Sequence, residues 1–454
     1  MLKRLKTDTT AGERPNWREY QAGLKRYGKK QKFFKGIFKC FGLVFLLFLV
    51  AYGITSGLGE KSTPRSATGY VSPPNDNRSI DKKTAQRLLN PASFINLKEK
   101  SFDVVSDNGK LMVETSIDIR LQNYLLSKLN TSNARYIGIV AMDPMSGKIL
   151  SMVSYDKTNP SNNPCIESKF PAASIFKIVT ASAAIEKYGF SPNHIFTYNG
   201  MKHTLYKSQL KDRKNRYTHR VKFEDAFAQS VNPVFGKIGA YYLGRGTLEE
   251  YAKAFGFNRD INFEIYVDPS CISVSDKPYH CAEIASGFNK QTIMSPLHGA
   301  MMASAIINDG RLLEPTIVDQ IMNEKGRIIY QNESITMNQA IDPNASETLS
   351  RLMQTTISNG TARKSFRRYQ KDNVLSKLNI GGKTGSIDNQ SHDARYDWFV
   401  GFAEEKRGQG KIALSVIVAH EKYIGLRASY YARLVMQAYF KDYFAKNQEQ
   451  TSES

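Results

Sequence analysis

The apolar and polar positions of this chain change period along its length, and those changes mark its organisation. Residues 40–59 carry no charged side chain and run Cys-Phe-Gly-Leu-Val-Phe-Leu-Leu-Phe-Leu-Val-Ala-Tyr-Gly-Ile-Thr-Ser-Gly-Leu-Gly. A helix crossing a bilayer needs about 20 mostly apolar residues, so the pattern predicts one transmembrane helix over 37–58, after a polar, basic tail at 1–36. Gly, Ser, Thr, Pro, Asn and Asp in mixed order over 60–82 read as a linker. Residues 83–110 have no decisive period, so 59–111 are expected to be a linker and a short juxtamembrane region. From 112 the signal sharpens. Val113 opens a short strand that leads into a capped helix ending at Leu129. Apolar runs at 136–142 and 149–154, joined by Asp-Pro-Met-Ser-Gly-Lys, have the composition of a β-hairpin. Residues 171–189 read as a helix with Pro171 near its start and Gly189 to stop it, and helical periods dominate 173–258 and 296–308. Strands follow at 376–386, 397–403 and 411–419, then a closing helix at 427–445. Two strands, a large helical insert, three strands and a helix predict an α+β fold: an antiparallel sheet of about five strands with helices packed on it. This domain is expected over 112–446, followed by a polar C-terminal tail at 447–454.

Charge sets the topology. The net charge is +21, and residues 1–39 hold twelve Lys/Arg against three Asp/Glu. A basic flank before the span places the N-terminus in the cytoplasm and the domain outside the plasma (inner) membrane, periplasmic or extracellular. A cleaved signal peptide is the rival; the long basic head and the lack of a small-x-small site favour an uncleaved anchor. Of the four cysteines, Cys40 falls at the membrane, and Cys165, Cys271 and Cys281 would lie outside, where disulfides persist. Cys271 with Cys281 and three buried free thiols both remain open. No Cys or His spacing suits a metal, and no cofactor is implied.

Three short stretches carry candidate chemistry. Ser174 and Lys177 are three residues apart on a predicted helix and so share a face. Lys177 lies among Ile175, Phe176, Ile178 and Val179. A lysine amine removed from water loses its proton more readily and can activate a neighbouring hydroxyl as a nucleophile. Ser230 and Asn232 flank a turn between two helical patterns, where a hydroxyl can relay a proton and an amide can hold another amide. Lys383, Thr384, Gly385 and Ser386 follow Gly381-Gly382 on a predicted strand. There a cation and a hydroxyl can meet a carboxylate, a small residue lets a ligand approach the backbone, and a strand edge can pair with an extended peptide. Each stretch alone has a plain structural reading, as a snorkelling lysine, a helix cap and a tight turn.

Ser-x-x-Lys, Ser-x-Asn and Lys-Thr-Gly in this order resemble the motif set of penicillin-binding proteins and serine β-lactamases. The resemblance to the penicillin-binding protein transpeptidase domain covers about 112–443, through Gly138–Val153, Phe223–Gln229, Met294–His298, Ile307–Gly310, Gly360–Ala362 and Trp398–Ala403. It implies that Ser174 attacks the penultimate D-Ala carbonyl of a peptidoglycan stem peptide and that Lys177 takes its proton. Ser230 would help protonate the leaving amine, and Asn232 would contact substrate and Lys177. Lys383 and Thr384 would receive the terminal carboxylate, and the N–H groups of Ser174 and Ser386 would form an oxyanion hole. β-Lactams would acylate Ser174. The interval 59–111 is too short for the glycosyltransferase domain or pedestal of larger members, so a separate glycan polymerase is an expected partner.

Alternatives share the first chemical step. A D,D-carboxypeptidase would pass the acyl group to water. A β-lactamase would need a water-activating group, for which Glu264, 34 residues after Ser230, is the candidate. A sensor or scaffold would be acylated without cross-linking anything. Gly287-Phe-Asn-Lys-Gln stands where relatives often have Gly-Gln-Gly, which leaves the cleft floor open. Two basic clusters, eight Lys/Arg within 202–222 and Arg363, Lys364, Arg367, Arg368 and Lys371, suit an anionic cell-wall polymer, carboxylate-rich stem peptides or plain solvation. The expected topology argues against nucleic acid.

Overall fold

The computed structural model describes residues 79–453 apart from 107–108. The predicted tail and transmembrane helix at 1–58 lie outside the described residues. Among those described, no helix is long and apolar enough to cross a membrane.

Five antiparallel strands form the central sheet, in the spatial order Leu378–Asp388, Arg395–Glu405, Lys411–His420, Ala134–Met142 and Ile149–Asp156. Both faces are covered, which is why Ala134–Met142 and Lys411–His420 read as nearly continuous apolar runs rather than alternating ones. One face packs on the helix Pro296–Ile307, whose twelve residues are all buried. The other packs on the closing helix Ala428–Glu453 and on Ile119–Ser127, the helix capped by the Asp118 carboxylate. The Leu378–Asp388 strand stands at the sheet's edge.

The α+β expectation and its five-stranded sheet agree with this architecture; three local readings need correction. The predicted helix at 171–189 starts later, because Pro171 belongs to a two-residue strand paired with Ile293–Met294. A 3-10 turn, Ala173–Phe176, follows, and the α-helix proper is Lys177–Tyr188, closed by Gly189 in the left-handed conformation. Within the helical insert, Ile195–Tyr198 pairs with His219–Lys222 as a small ribbon. A second sheet joins Ser101–Ser106, Gly109–Thr115, Val318–Asn323 and Ile328–Gln331. Its first strand and the helix Lys82–Leu88 lie in the stretch 59–111 read as linker and juxtamembrane region, and Gly109–Thr115 straddles the end of that stretch and takes in the short strand expected from Val113. The polar composition that suggested a linker serves burial here: Lys82 is buried, with Nζ 3.1 Å from the Pro315 carbonyl and 3.3 Å from the Glu314 carboxylate.

Candidate active site

Ser174 sits in the tight turn before the Lys177 helix. That turn is held from behind by Trp398, whose indole Nε1 donates to the Pro171 carbonyl at 2.9 Å. One turn later, Lys177 is wholly buried and its Nζ lies 2.8 Å from Ser174 Oγ and 2.8 Å from Asn232 Oδ1, and also contacts the Ser286 carbonyl oxygen. Burial, and then the positive charge of Lys383, push the Lys177 amine well below the usual lysine range. The three contacts satisfy the charged amine and also accommodate the neutral one. A neutral amine has two N–H donors and one lone pair. Asn232 Oδ1 and the Ser286 carbonyl can only accept, so they take both donors. The lone pair is left for Ser174 Oγ–H.

Ser230 occupies the reversal between the helices Phe223–Ala228 and Asn232–Lys237, with φ 57°. A non-glycine residue in the left-handed region is uncommon and is retained where surrounding contacts fix it. Ser230 Oγ accepts from Lys383 Nζ at 3.1 Å, and Lys383 also donates to the Thr384 carbonyl at 2.9 Å. Lys383 is wholly buried, and that burial lowers its pKa to about 7. Asn232 is pinned at both ends of its amide, since Nδ2 donates to the His203 carbonyl at 3.0 Å.

The structure thus brings all eight sequence-derived candidates together. Ser174, Ser230, Asn232, Thr384, Gly385 and Ser386 line one cleft of about 750 Å³, and Lys177 and Lys383 stand immediately behind them. The Lys383 strand runs past the Ser174 turn at Gly385. A Cβ there would meet Ile175 Cγ1 at 3.2 Å and Ala173 Cβ at 3.3 Å, so the missing side chain also serves the approach of strand to turn. Thr384 Oγ1 lies 2.5 Å from Thr361 Oγ1, and Ser386 Oγ accepts from Arg395 Nε at 2.9 Å.

Sequence reasoning missed several wall residues. His203 overhangs the Ser230 turn; loss of solvation, and then the charges of Lys177 and Lys383, hold its pKa down despite a hydrogen bond with the Ser230 backbone. Arg395 reaches the cleft from a neighbouring strand and no local motif marks it; Thr361 reaches it from a loop, within the Gly360–Ala362 segment that carries the resemblance but was given no role. The unusual Gly287–Gln291 segment did carry a signal, and Gly287, Phe288, Asn289 and Lys290 line the cleft. Gly287 has φ +67°, and a Cβ on it would lie 1.8 Å from the Ala173 carbonyl oxygen and 2.9 Å from Ser174 N. Gly287→Ala is therefore expected to lower stability by more than about 1 kcal/mol in denaturant titration and to slow acylation by penicillin, because the Ser174 turn must move to admit the methyl group.

Glu264 does not face this cleft. It is fully buried beside the second sheet and accepts from Thr316 Oγ1 (2.6 Å), Tyr330 Oη (2.7 Å) and the Ile317 N–H (3.1 Å). Burial raises its pKa against the opposing pull of Lys82 and these donors. Glu264→Gln is expected to cost about 1–3 kcal/mol of stability by mispairing buried groups and to leave the lifetime of a penicilloyl enzyme unchanged; a stopped-flow deacylation assay separates the two effects. Among the described residues Cys165, Cys271 and Cys281 are free thiols, and Cys271 is exposed.

Residues 137–444, more than half of the chain, match the penicillin binding protein transpeptidase domain. The chain belongs to the penicillin-binding protein transpeptidase family. Among its relatives, Stage V sporulation protein D of Bacillus subtilis is 22% identical over 345 residues, covering 71% of this chain and 52% of that protein. Peptidoglycan D,D-transpeptidase PbpA of Mycolicibacterium smegmatis is 23% identical over 323 residues, covering 62% of this chain and 61% of the relative. The chain therefore spans between about half and three-fifths of the length of these two relatives. Penicillin-binding protein A of M. tuberculosis, solved as an imipenem acyl-enzyme complex, superposes with a TM-score of 0.59 at 22% identity, over 72% of this chain and 79% of that one. At that identity the superposition shows the shared fold.

Proposed function

We propose that the chain is a peptidoglycan D,D-transpeptidase that cross-links stem peptides through a Ser174 acyl-enzyme. The observation that carries this reading is the wholly buried Lys177 amine, 2.8 Å from Ser174 Oγ, with its two other partners able only to accept. A stem peptide ending in D-Ala-D-Ala lies extended along the free edge of the Lys383 strand. Ser174 Oγ attacks the penultimate D-Ala carbonyl carbon and its proton passes to Lys177 Nζ. The oxyanion develops towards the N–H groups of Ser174 and Ser386, which stabilise charge present only at the tetrahedral stage. The C–N bond then breaks, and the D-Ala amine leaves with a proton passed through Ser230 Oγ, which Lys383 holds in place. Lys383 and Thr384 receive the terminal carboxylate. An amine from a second stem peptide resolves the ester and restores Ser174. A β-lactam enters the same path and stops at the ester, as the imipenem complex of the M. tuberculosis relative illustrates.

The proposal extends to the whole chain. The apolar 37–58 segment serves as a single membrane anchor with the N-terminus in the cytoplasm, and the glycan strands come from a separate polymerase. Incubation of the full-length chain with nascent, uncross-linked peptidoglycan, followed by muropeptide mass spectrometry, tests this reading. Dimeric muropeptides are expected. Monomers trimmed by one D-Ala would assign a D,D-carboxypeptidase, and unaltered monomers from a protein that still takes up penicillin would assign a sensor or scaffold.

A further inference from the structure

One lip of the cleft continues into a loop whose charge the proposed chemistry does not use. Between the helix Pro343–Ser358 and the Lys383 strand, residues 359–372 carry Arg363, Lys364, Arg367, Arg368 and Lys371 against one acidic residue, Asp372. The acid is turned inward. Asp372 Oδ2 takes Arg433 Nη2 at 3.5 Å and Gln437 Nε2 at 3.0 Å from the closing helix. Arg433 Nη1 also donates to the carbonyls of Ser365 and Arg367, at 3.2 and 3.0 Å. Phe366 is buried and its ring lies 5.9 Å from that of Phe399, which anchors the loop to the sheet. The five cations are all exposed, and none has a carboxylate partner among the described residues. Arg368 additionally takes the left-handed conformation (φ 60°).

This arrangement is the reverse of a neutralised surface loop. Some exposed cations of the chain do have a nearby carboxylate, as Arg245 has Glu249 and Asp276. Here the backbone is fastened from within and like charges are held side by side, a cost that an external anion offsets. The band extends further. Asn359 Nδ2 donates to Asp225 Oδ1 at 3.2 Å, and Asp225 lines a second groove with Lys202, Arg220 and Lys222. Lys364 lines both the catalytic cleft and the groove of the 359–372 loop, so a ligand leaving the cleft on that side passes directly onto the cations.

We infer that the 359–372 loop is a docking surface for the carboxylate-bearing, uncross-linked peptidoglycan strand whose stem peptide occupies the cleft. The occupant is argued from continuity with the cleft through Lys364 and from charge complementarity, and it rests on the transpeptidase reading. Successive stem peptides on one strand present free carboxylates, which a row of cations engages several at a time. The surface therefore sets affinity for polymer and leaves the reaction of a small β-lactam untouched.

The test uses the full-length chain with Arg363, Arg367, Arg368 and Lys371 all changed to Gln, alone and combined with Ser174→Ala. Binding is measured to soluble uncross-linked strands, to the same strands with their carboxylates amidated, and to poly(glycerol phosphate). The expected result is a loss of at least about tenfold in affinity for untreated strands and a flatter dependence on salt. Amidated strands should bind the parent and the variant equally weakly, and the rate of fluorescent-penicillin uptake should match the parent. Unchanged binding of untreated strands by the variant would overturn the inference, as would a parent that binds poly(glycerol phosphate) in preference to strands. The Ser174→Ala background keeps the binding measurement independent of catalysis. A parent that binds strands through the loop and takes up no penicillin would sink the transpeptidase reading and spare the surface.

Discussion

Ser174→Ala is expected to abolish covalent labelling by a fluorescent penicillin while leaving the thermal midpoint within a few degrees of the parent. The hydroxyl is half-buried at the cleft wall and is hydrogen-bonded to Lys177 Nζ at 2.8 Å, so its removal takes away the nucleophile and one polar contact without opening a core cavity. Changes of that kind shift stability by less than about 1 kcal/mol. One other cleft hydroxyl meets a buried amine, at 3.1 Å rather than 2.8 Å. Ser230 Oγ faces Lys383, whose second contact is to the Thr384 carbonyl, and Thr384 Oγ1 is engaged by Thr361. Residual labelling of the Ser174→Ala protein at the parent rate, read on a denaturing gel, would show that another group is the nucleophile.

The second large effect belongs to Lys177. Lys177→Met keeps most of the buried volume and removes the base, and acylation is expected to slow by about 10²–10⁴-fold, the usual worth of a positioned proton acceptor. Reversible binding of penicillin before the chemical step should change little, because Lys177 lies behind the cleft wall. The Asn232 and Ser286 oxygens lose their donor, so a stability loss of about 1–3 kcal/mol is expected alongside. The pH profile separates base from scaffold. In the parent, acylation per unit of free enzyme should rise with pH as Lys177 loses its proton, well below the ordinary lysine range. It should fall again as Lys383, with a pKa of about 7 from burial, loses the charge that meets the ligand carboxylate. In Lys177→Met the rising limb should vanish and the falling limb remain. A variant that keeps both limbs would remove Lys177 from proton transfer. Stability follows the same groups with a definite sign. Lys383 binds its proton more weakly folded than unfolded, so stability gains from this residue between pH 7 and the ordinary lysine value of 10.5 and loses that gain as pH falls.

The central sheet and the reactive residues were legible in the sequence because their signals are local. The runs at 136–142 and 149–154 are apolar with turn chemistry between them, and the strands extend them by only a few residues, to Ala134–Met142 and Ile149–Asp156. Ser174 and Lys177 meet because three residues of chain place them on one turn. Apart from the short strand at Val113, the second sheet was not legible. Ser101–Ser106 alternates only between exposed and half-buried positions, so no apolar run announces it, and its sheet is completed by strands more than 200 residues away. Of the three groups that meet Lys177, Ser174 and Asn232 were expected, but the Ser286 carbonyl was silent, since it belongs to the backbone and carries no residue-type signature. Gly287 shows the intermediate case. Its segment departs from the Gly-Gln-Gly that the resemblance led one to expect, and the departure marked a place without saying that the missing side chain makes room for the Ser174 turn.

Position and chemistry can be read together in a single fragment. Cleavage after Lys169 and Lys177 releases Phe170–Lys177, which contains one hydroxyl residue, Ser174. Mass spectrometry of a tryptic digest after brief exposure to penicillin should find that peptide heavier by one intact penicillin molecule and otherwise absent. An adduct on any other peptide, or an unmodified Phe170–Lys177 from a protein that has taken up the drug, would contradict the account.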